Sequence, residues 1–288
     1  MVTPIQKPQS IILPGDRRLD FNIPLVMGIL NITPDSFSDG ARFLDAGRAV
    51  THAKKLINEG ADIVDIGGES SRPGSDPVPA EEELKRVIPV IKEIRQFSAV
   101  PISIDTTRAV VARQALEAGA DLINDISAFR FDETMVEVAA EFGVPAILMH
   151  MLGTPKTMQV EPRYQDCISE IMQFFSERLH FCLNYGLPRD RVIIDPGIGF
   201  GKRLQDNLMI IRHLDQFKSF GCPVMVGASR KSFIAMATGL DRHPVQRLGG
   251  SLAAALAAVR NGADIVRVHD TAETVEAIKL YRALEGAD

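Results

Sequence analysis

Three stretches suited to helix end on the same tripeptide, at Gly60-Ala61-Asp62, Gly119-Ala120-Asp121 and Gly262-Ala263-Asp264, and a β-branched run follows each at once. Glycine tolerates the left-handed position just past a helix, so each tripeptide marks a helix stop. Gly143, Gly186 and Gly221 play the same part ahead of Val144-Pro145, Leu187-Pro188 and Cys222-Pro223, where proline blocks continuation. The repeating unit is helix, glycine, strand.

Eight short apolar runs read as buried strands: Leu25 to Leu30, Ile63 to Ile66, Ile102 to Ile104, Leu122 to Ile123, Ala146 to Met149, Val192 to Ile194, Val224 to Val226 and Ile265 to Val268. Near-continuous hydrophobicity marks strands covered on both faces, with helices as crossovers of a parallel sheet. The intervening stretches are Asp45 to Glu59, Ala80 to Phe97, Arg108 to Ala118, Glu133 to Phe142, Gln165 to Tyr185, Asp206 to Phe217, Ser251 to Asn261 and Thr271 to Leu284, with an extra helix at Ser232 to Thr238. Eight such units predict an α/β fold, a closed (β/α)8 TIM barrel, in preference to an open doubly wound sheet. Residues 1–23 form a short N-terminal appendage, a small hairpin being one option, and no linker divides the single domain.

A chain of 288 residues with 45% hydrophobic content can bury a core of that size. The net charge of −5, without a basic block, suggests no nucleic-acid surface. Cys167, Cys182 and Cys222 are far apart and lack CxxC spacing, which fits a reducing compartment and argues against disulfides or a zinc site. No basic-then-apolar leader opens the chain and no apolar run reaches the roughly 18 residues of a membrane span, so no membrane partner is expected and the cytoplasm is the default location.

In such a barrel, chemistry gathers at the C-terminal ends of the strands. Those ends are polar: Asn31, then Asp65 and Gly67 to Gly74, Asp105-Thr106, Asn124-Asp125, His150, Asp195 to Lys202, Ser229-Arg230-Lys231, and Arg267 with His269-Asp270. The Asn31 to Gly40 stretch, rich in Asn, Thr, Asp, Ser and Pro around Phe37, suits neither helix nor strand and reads as an active-site loop. Asp105 or Asn124 alone could equally cap a following helix, but four such groups on neighbouring strand ends point to a binding site.

The motifs Asn31-Ile32-Thr33-Pro34-Asp35-Ser36-Phe37-Ser38-Asp39-Gly40, Gly68-Glu69-Ser70-Ser71-Arg72-Pro73-Gly74, Ile104-Asp105-Thr106, Asn124-Asp125, Met149-His150-Met151, Asp195-Pro196-Gly197-Ile198-Gly199-Phe200-Gly201-Lys202, Ser229-Arg230-Lys231 and Val266-Arg267-Val268-His269-Asp270 resemble the dihydropteroate synthase family. The likeness runs from about Leu25 to Leu284 in eight ordered matches. It departs from the family pattern at Ala41, where a second glycine is frequent, and at Arg203, where threonine is commoner.

The resemblance implies condensation of 6-hydroxymethyl-7,8-dihydropterin pyrophosphate with p-aminobenzoate, with loss of pyrophosphate. It implies that Asp105, Asn124, Asp195, Lys231 and Arg267 hold the pterin, whose aminopyrimidinone edge asks for a carboxylate, an amide and a cation together. Asn31, Arg72, Arg267 and His269 are the expected pyrophosphate ligands. Phe37, Ser71, Arg72, Pro73, Phe200 and Ser232 are expected around p-aminobenzoate. Asn31 is the expected protein ligand to Mg²⁺, which keeps most of its waters and phosphate oxygens. Lys231, Arg267 and Asp105 are expected to act in catalysis, with Asp39 a late proton acceptor. Asp125 and His150 read as orienting groups, Lys202 as a surface or phosphate-edge residue, and Met225 and Met236 as core. The resemblance further implies a homodimer, and the alanine-rich Ser251 to Val259 helix could pack closely on a partner.

Three other functions compete. A corrinoid-type pterin methyl-transfer domain would not be expected to carry the two loops together with Ser229-Arg230-Lys231. A catalytically silent pterin-binding homologue would be expected to have altered loops. A Schiff-base aldolase would need a lysine of lowered pKa, and Arg230 beside Lys231 with an aspartate-rich, pterin-type pocket around it gives no reason for one.

Overall fold

The structure, a computed structural model, describes residues 7–32, 42–70, 74–75 and 77–286, with the side chains of 42–45 outside that description. A hairpin of β1 (Ser10–Ile12) and β2 (Arg18–Asp20) precedes the parallel strands β3 (Leu25–Asn31), β4 (Ile63–Gly67), β5 (Ile102–Asp105), β6 (Leu122–Asp125), β7 (Ala146–Met149), β8 (Val192–Asp195), β9 (Met225–Val226) and β10 (Ile265–Val268). These eight pair in the order β8-β7-β6-β5-β4-β3-β10-β9. A parallel bridge from Ile194 to Val224 joins the two ends, with Ile194 N donating to Pro223 O at 3.0 Å. The sheet is therefore a (β/α)8 barrel.

Strand side chains alternate between two sides, and the parity divides the core. One set, including Val26, Val64, Ile104, Ile123, Leu148, Ile194 and Val266, packs outward against helix residues such as Leu56, Val87, Ile91 and Val111. The other set, Leu25, Met27, Ile63, Leu122, Ile147, Ile193, Met225 and Ile265, fills the barrel and clusters with Ile11, Leu13, Leu19 and Phe21 of the hairpin region. The described part of the appendage is thus a plug at the barrel's N-terminal end. Two residues further along the same inward parity, Ile63 gives way to Asp65, Leu122 to Asn124, Ile193 to Asp195 and Ile265 to Arg267. The polar mouth is the continuation of the apolar interior.

The connecting helices are α1 (Arg42–Asn58), α2 (Ala80–Phe97), α3 (Ala109–Glu117), α4 (Met135–Phe142), α5 (Cys167–Asn184), α6 (Leu204–Arg212), α7 (Ser232–Thr238), α8 (Leu248–Arg260) and α9 (Thr271–Glu285). The start of α5 lies inside the expected Gln165 because the Asp166 carboxylate accepts from Ile168 N and Ser169 N. The stretch expected as one helix from Asp206 to Phe217 is broken: α6 stops at Arg212, His213 leaves helical geometry, and Leu214–Phe220 winds as a 3-10 helix. Arg203, a departure from the family pattern, caps α6 through Asp206, its N and Nε each donating at 2.8 Å. Met225 is core, but Met236 is corrected to the surface at 58% exposure, since Phe233 and Ile234 are the residues α7 buries. The alanine-rich α8 packs on α6, α9 and β10 of its own chain.

The three Gly-Ala-Asp tripeptides do more than stop helices. Asp62 N donates to Val26 O at 2.9 Å while its carboxylate accepts from Val26 N at 2.8 Å. Asp121 makes the same pair with Ile102, at 2.8 and 2.8 Å, and Asp264 with Val224, at 2.8 and 2.9 Å. Each aspartate thereby clamps the start of its own strand to the preceding one.

Candidate active site

Arg267, inward on β10, sits between two carboxylates on neighbouring elements. Its Nε donates to Asp65 Oδ2 of β4 at 2.6 Å and its Nη2 to Asp105 Oδ2 of β5 at 2.7 Å. Asn124 Nδ2 on β6 reaches the same Asp65 carboxylate at 3.2 Å. Burial opposes the charge on Arg267, but Asp65 and Asp105 outweigh it and raise its pKa. Burial pushes Asp105 up to about 7, against Arg267, with Asp65, Glu83 and Asp125 adding to the rise. Neither Asp105 nor Asn124 serves as a helix cap: the Ala109 N at the start of α3 is met by Asp132. A cavity of about 440 Å³ opens beside Asp105, lined by Thr106, Arg108, Ile126, Phe131 and Lys156 among others.

Across the mouth, β8 ends in Asp195, whose Oδ1 accepts from Gly197 N at 2.8 Å. Burial raises the Asp195 pKa, with Lys231 opposing. The turn that follows threads a narrow gap. A Cβ on Gly197 would lie 2.0 Å from His150 O, one on Gly201 2.7 Å from Leu152 O, and one on Gly199 3.1 Å from Lys231 Cδ. All three glycines have positive φ, so both space and backbone require them. The threaded turn presents Ile198 O to Lys231 Nζ at 2.5 Å and the Phe200 ring at 4.5 Å from that nitrogen. Withdrawal from water lowers the Lys231 pKa to about 8, with Asp195 opposing.

Two pairs tie the Lys231 turn to the exit of β10. His269 N donates to Ser229 Oγ at 3.2 Å and its Nδ1 lies 3.1 Å from the same oxygen. Arg230, at φ 60°, forms an ion pair with Asp270 and receives Arg247 Nη1 on its carbonyl at 2.9 Å. A non-glycine residue in the left-handed region signals that its surroundings hold it there.

Against known proteins, residues 27–269 match the family described as pterin binding enzyme. The dihydropteroate synthase of Synechocystis sp. is 49% identical over 260 residues, covering 90% of this chain and 89% of that one. The chain belongs to the dihydropteroate synthase family. Two solved dihydropteroate synthases from Xanthomonas albilineans superimpose closely: one with 4-aminobenzoic acid has a TM-score of 0.91 at 43% identity over 97% of this chain and 99% of that one. The other, in complex with 7,8-dihydropteroate, has a TM-score of 0.87 at 42% identity over 97% of this chain and 100% of that one.

Within this dihydropteroate synthase barrel, the structure brings Asn31, Asp105, Asn124, Asp195, Lys231, Arg267 and His269 to the C-terminal ends of their strands or just past them, and Phe200 to the turn beside Lys231. Ser232 is exposed at the first position of α7. Phe37, Asp39, Ala41, Ser71, Arg72 and Pro73 lie outside the described residues. The residue that sequence reasoning passed over is Asp65, seen at a strand end but given no role. It is fully buried and bonds both Arg267 and Asn124. A carboxylate on the inward parity of an otherwise apolar strand was the available signal. Two readings are corrected. Lys202 is 4% exposed and so no surface residue. Lys231 does have a lowered pKa, because loss of water around the ammonium outweighs the attraction of Asp195 and Asp105. His150 and Asp125 are buried; Asp125 accepts from Ser127 N at 2.7 Å and Phe129 N at 2.9 Å, and so shapes the turn after β6.

Proposed function

We propose that the chain joins the exocyclic methylene of 6-hydroxymethyl-7,8-dihydropterin pyrophosphate to the amine of p-aminobenzoate, giving 7,8-dihydropteroate and pyrophosphate. The observation that carries this is the inward ring of Asp65, Asp105, Asn124, Asp195, Lys231 and Arg267 at one barrel mouth. The Xanthomonas albilineans relatives support it, one holding 4-aminobenzoic acid and one 7,8-dihydropteroate.

In this reading Asp195 and Asn124 meet the aminopyrimidinone edge, Asp105 holds the second ring, and Lys231 turns from Ile198 O to the ring carbonyl and N5. Arg267, already fixed by two carboxylates, offers a guanidinium face for the pterin and its remaining N–H groups for the phosphates. The C–O bond to pyrophosphate breaks with its electron pair leaving on oxygen, the electron-rich ring carries the cationic methylene, and the neutral aniline nitrogen then forms the C–N bond. Such a dissociative path needs positioning and charge stabilisation and no covalent nucleophile. His269 and Arg72 complete the anion site. The amine proton goes to Asp39 or to the departing phosphate. Phe200, Phe37, Ser71, Arg72, Pro73 and Ser232 make up the p-aminobenzoate site.

Asn31 is the proposed protein ligand for Mg²⁺. Its Oδ1 and Asp105 Oδ2 border a hollow at Gly67, at 3.6 and 3.7 Å from where a Cβ would sit. Among the described residues no group of three or more His, Cys, Asp or Glu could hold a metal. One or two hard oxygens suit an ion that keeps waters and phosphate oxygens and do not suit zinc. Bound there, Mg²⁺ supplies charge neutralisation to the leaving pyrophosphate.

A homodimer is proposed from the family resemblance together with the exposed Met236, Leu240 and Val245, apolar side chains on and after α7. No described helix is long and apolar enough to cross a membrane, and the three buried free cysteines suit the cytoplasm proposed here. Incubation with dihydropterin pyrophosphate, p-aminobenzoate and Mg²⁺ should yield dihydropteroate and pyrophosphate in equal amounts. Tight pterin binding without product would overturn the enzymatic reading.

A further inference from the structure

Lys202 is a buried cation with no carboxylate hydrogen-bonded to it among the described residues. Its Nζ lies 2.9 Å from His150 Nδ1, 3.3 Å from His150 O and 3.1 Å from Phe200 O. Three acceptors match the three N–H bonds of an ammonium, and a neutral amine has only two. His150 can accept because burial, then Lys202 and Arg130, keep its imidazole neutral. The Phe174 ring meets it edge-on at 4.8 Å. Two of the three acceptors belong to the exit of β7 and the third to the residue whose ring lies over Lys231. Elsewhere the turn is held by the Asp195 carboxylate on Gly197 N and Lys231 Nζ on Ile198 O, and by neutral groups: Gln159 Nε2 donates to Gly199 O at 2.7 Å, Tyr164 OH to Gly201 O at 2.8 Å, and Gly199 N to Asn207 Oδ1 at 2.6 Å. Phe200 N donates within the turn, to Gly197 O at 3.1 Å, and it is Lys202 that ties the Phe200 carbonyl to the exit of β7.

A lysine in such a place costs desolvation that a methionine would avoid. We propose that Lys202 is a positioning residue, its ammonium fastening the Phe200 carbonyl to the exit of β7 and so setting the wall against which p-aminobenzoate lies. The chain of contact runs from His150 through Lys202 to Phe200 and on to Lys231, all without Lys202 touching substrate. It rests on the proposed placing of p-aminobenzoate at Phe200.

The arrangement carries a pH signature. Burial lowers the Lys202 pKa to about 7. The groups facing it are His150 just past β7, Asp195 at the end of β8, Asp206 in the first turn of α6, Cys167 at the start of α5 and Lys231 just before α7. Loss of its proton removes one of the three donors and the charge that strengthens the other two bonds, so the grip on the Phe200 carbonyl loosens as pH rises.

The test compares K202M with the unmutated chain at saturating pterin substrate. K202M should raise the KM for p-aminobenzoate about tenfold or more while the Kd for pterin pyrophosphate, measured by calorimetry, moves less than about threefold. In the unmutated chain the KM for p-aminobenzoate should climb as pH passes through about 7, a step absent from K202M. Equal losses for both substrates, an unchanged KM, or a step that survives in K202M would overturn the proposal. F200A is the control: if it leaves the p-aminobenzoate KM unchanged, the placing at Phe200 fails, whereas a raised KM in F200A with none in K202M defeats the Lys202 role alone. If K202M does not fold, K202Q carries the same readouts, and absence of the pH step in the unmutated chain is itself decisive against it.

Discussion

Arg267 is the residue on which the mouth of the barrel depends twice. It neutralises Asp65, which is fully buried, and Asp105, which is 11% exposed, and it is the proposed stacking face and phosphate ligand. R267A should therefore lose stability, on the order of 3–5 kcal/mol by urea melt because two buried carboxylates lose their counter-ion. Its kcat/KM, and that of K231A, should each drop about tenfold or more, on the order of 1.4 kcal/mol at least. Near-normal turnover in either refutes that residue's role. The kcat/KM for the pterin substrate should follow a bell, with an acid limb near 7 from Asp105 and an alkaline limb near 8 from Lys231. Stability runs the other way for Asp105: its pKa is raised in the fold, so its contribution is present below the ordinary 3.8 and is lost as pH rises through about 7. D105N should remove the acid limb. At this scale, residue types at strand ends were legible in the chain, whereas Asp65 and Lys202 were not. Their roles depend on which side chains from distant segments meet them in a site withdrawn from water.

Turns are the elements that convert a repeated strand-helix unit into a particular mouth. The Gly197 to Gly201 turn could be read as glycine-rich, but a glycine-rich turn has many causes. Its neighbours decide which cause applies at each position. G197A should destabilise severely, since its Cβ would strike the His150 backbone oxygen at 2.0 Å and nothing flexible can yield. G199A meets the flexible Lys231 side chain, nearest at Cδ, 3.1 Å away, and should keep more of the fold while moving Lys231 and lowering kcat/KM. Thermal melting beside steady-state kinetics separates the two, and equal melting temperatures would refute the distinction. The Gly-Ala-Asp tripeptides show the same division. Their glycines, at φ 93°, 114° and 106°, were readable as helix stops from composition. That each following aspartate clamps the preceding strand was not, because its partners Val26, Ile102 and Val224 are recognisable as neighbours only once the strands are paired.

For the whole molecule, the hairpin ahead of the barrel is a structural stopper. Ile11, Leu13, Leu19 and Phe21 are each at most 6% exposed, against the lower interior of the sheet. Burial of such side chains stabilises by roughly 1.5–3 kcal/mol each, and together they rival the net stability of about 5–15 kcal/mol that a folded domain keeps. A chain beginning at residue 22 should accordingly be recovered aggregated or with lost helical circular dichroism. A soluble, active truncation would show that the plug is dispensable. The sequence by itself determined the strand-helix repeat, the barrel and the polar character of the strand ends, because those follow from local periodicity, helix stops and residue chemistry. Only the tertiary structure decided that the appendage closes the barrel floor, that Asp65 shares Arg267 with Asp105, and that Lys202 is buried on His150 and Phe200. Parity within a strand is local, but which inward residues meet is set by sheet closure, and the desolvation that shifts their charges exists only inside the closed barrel.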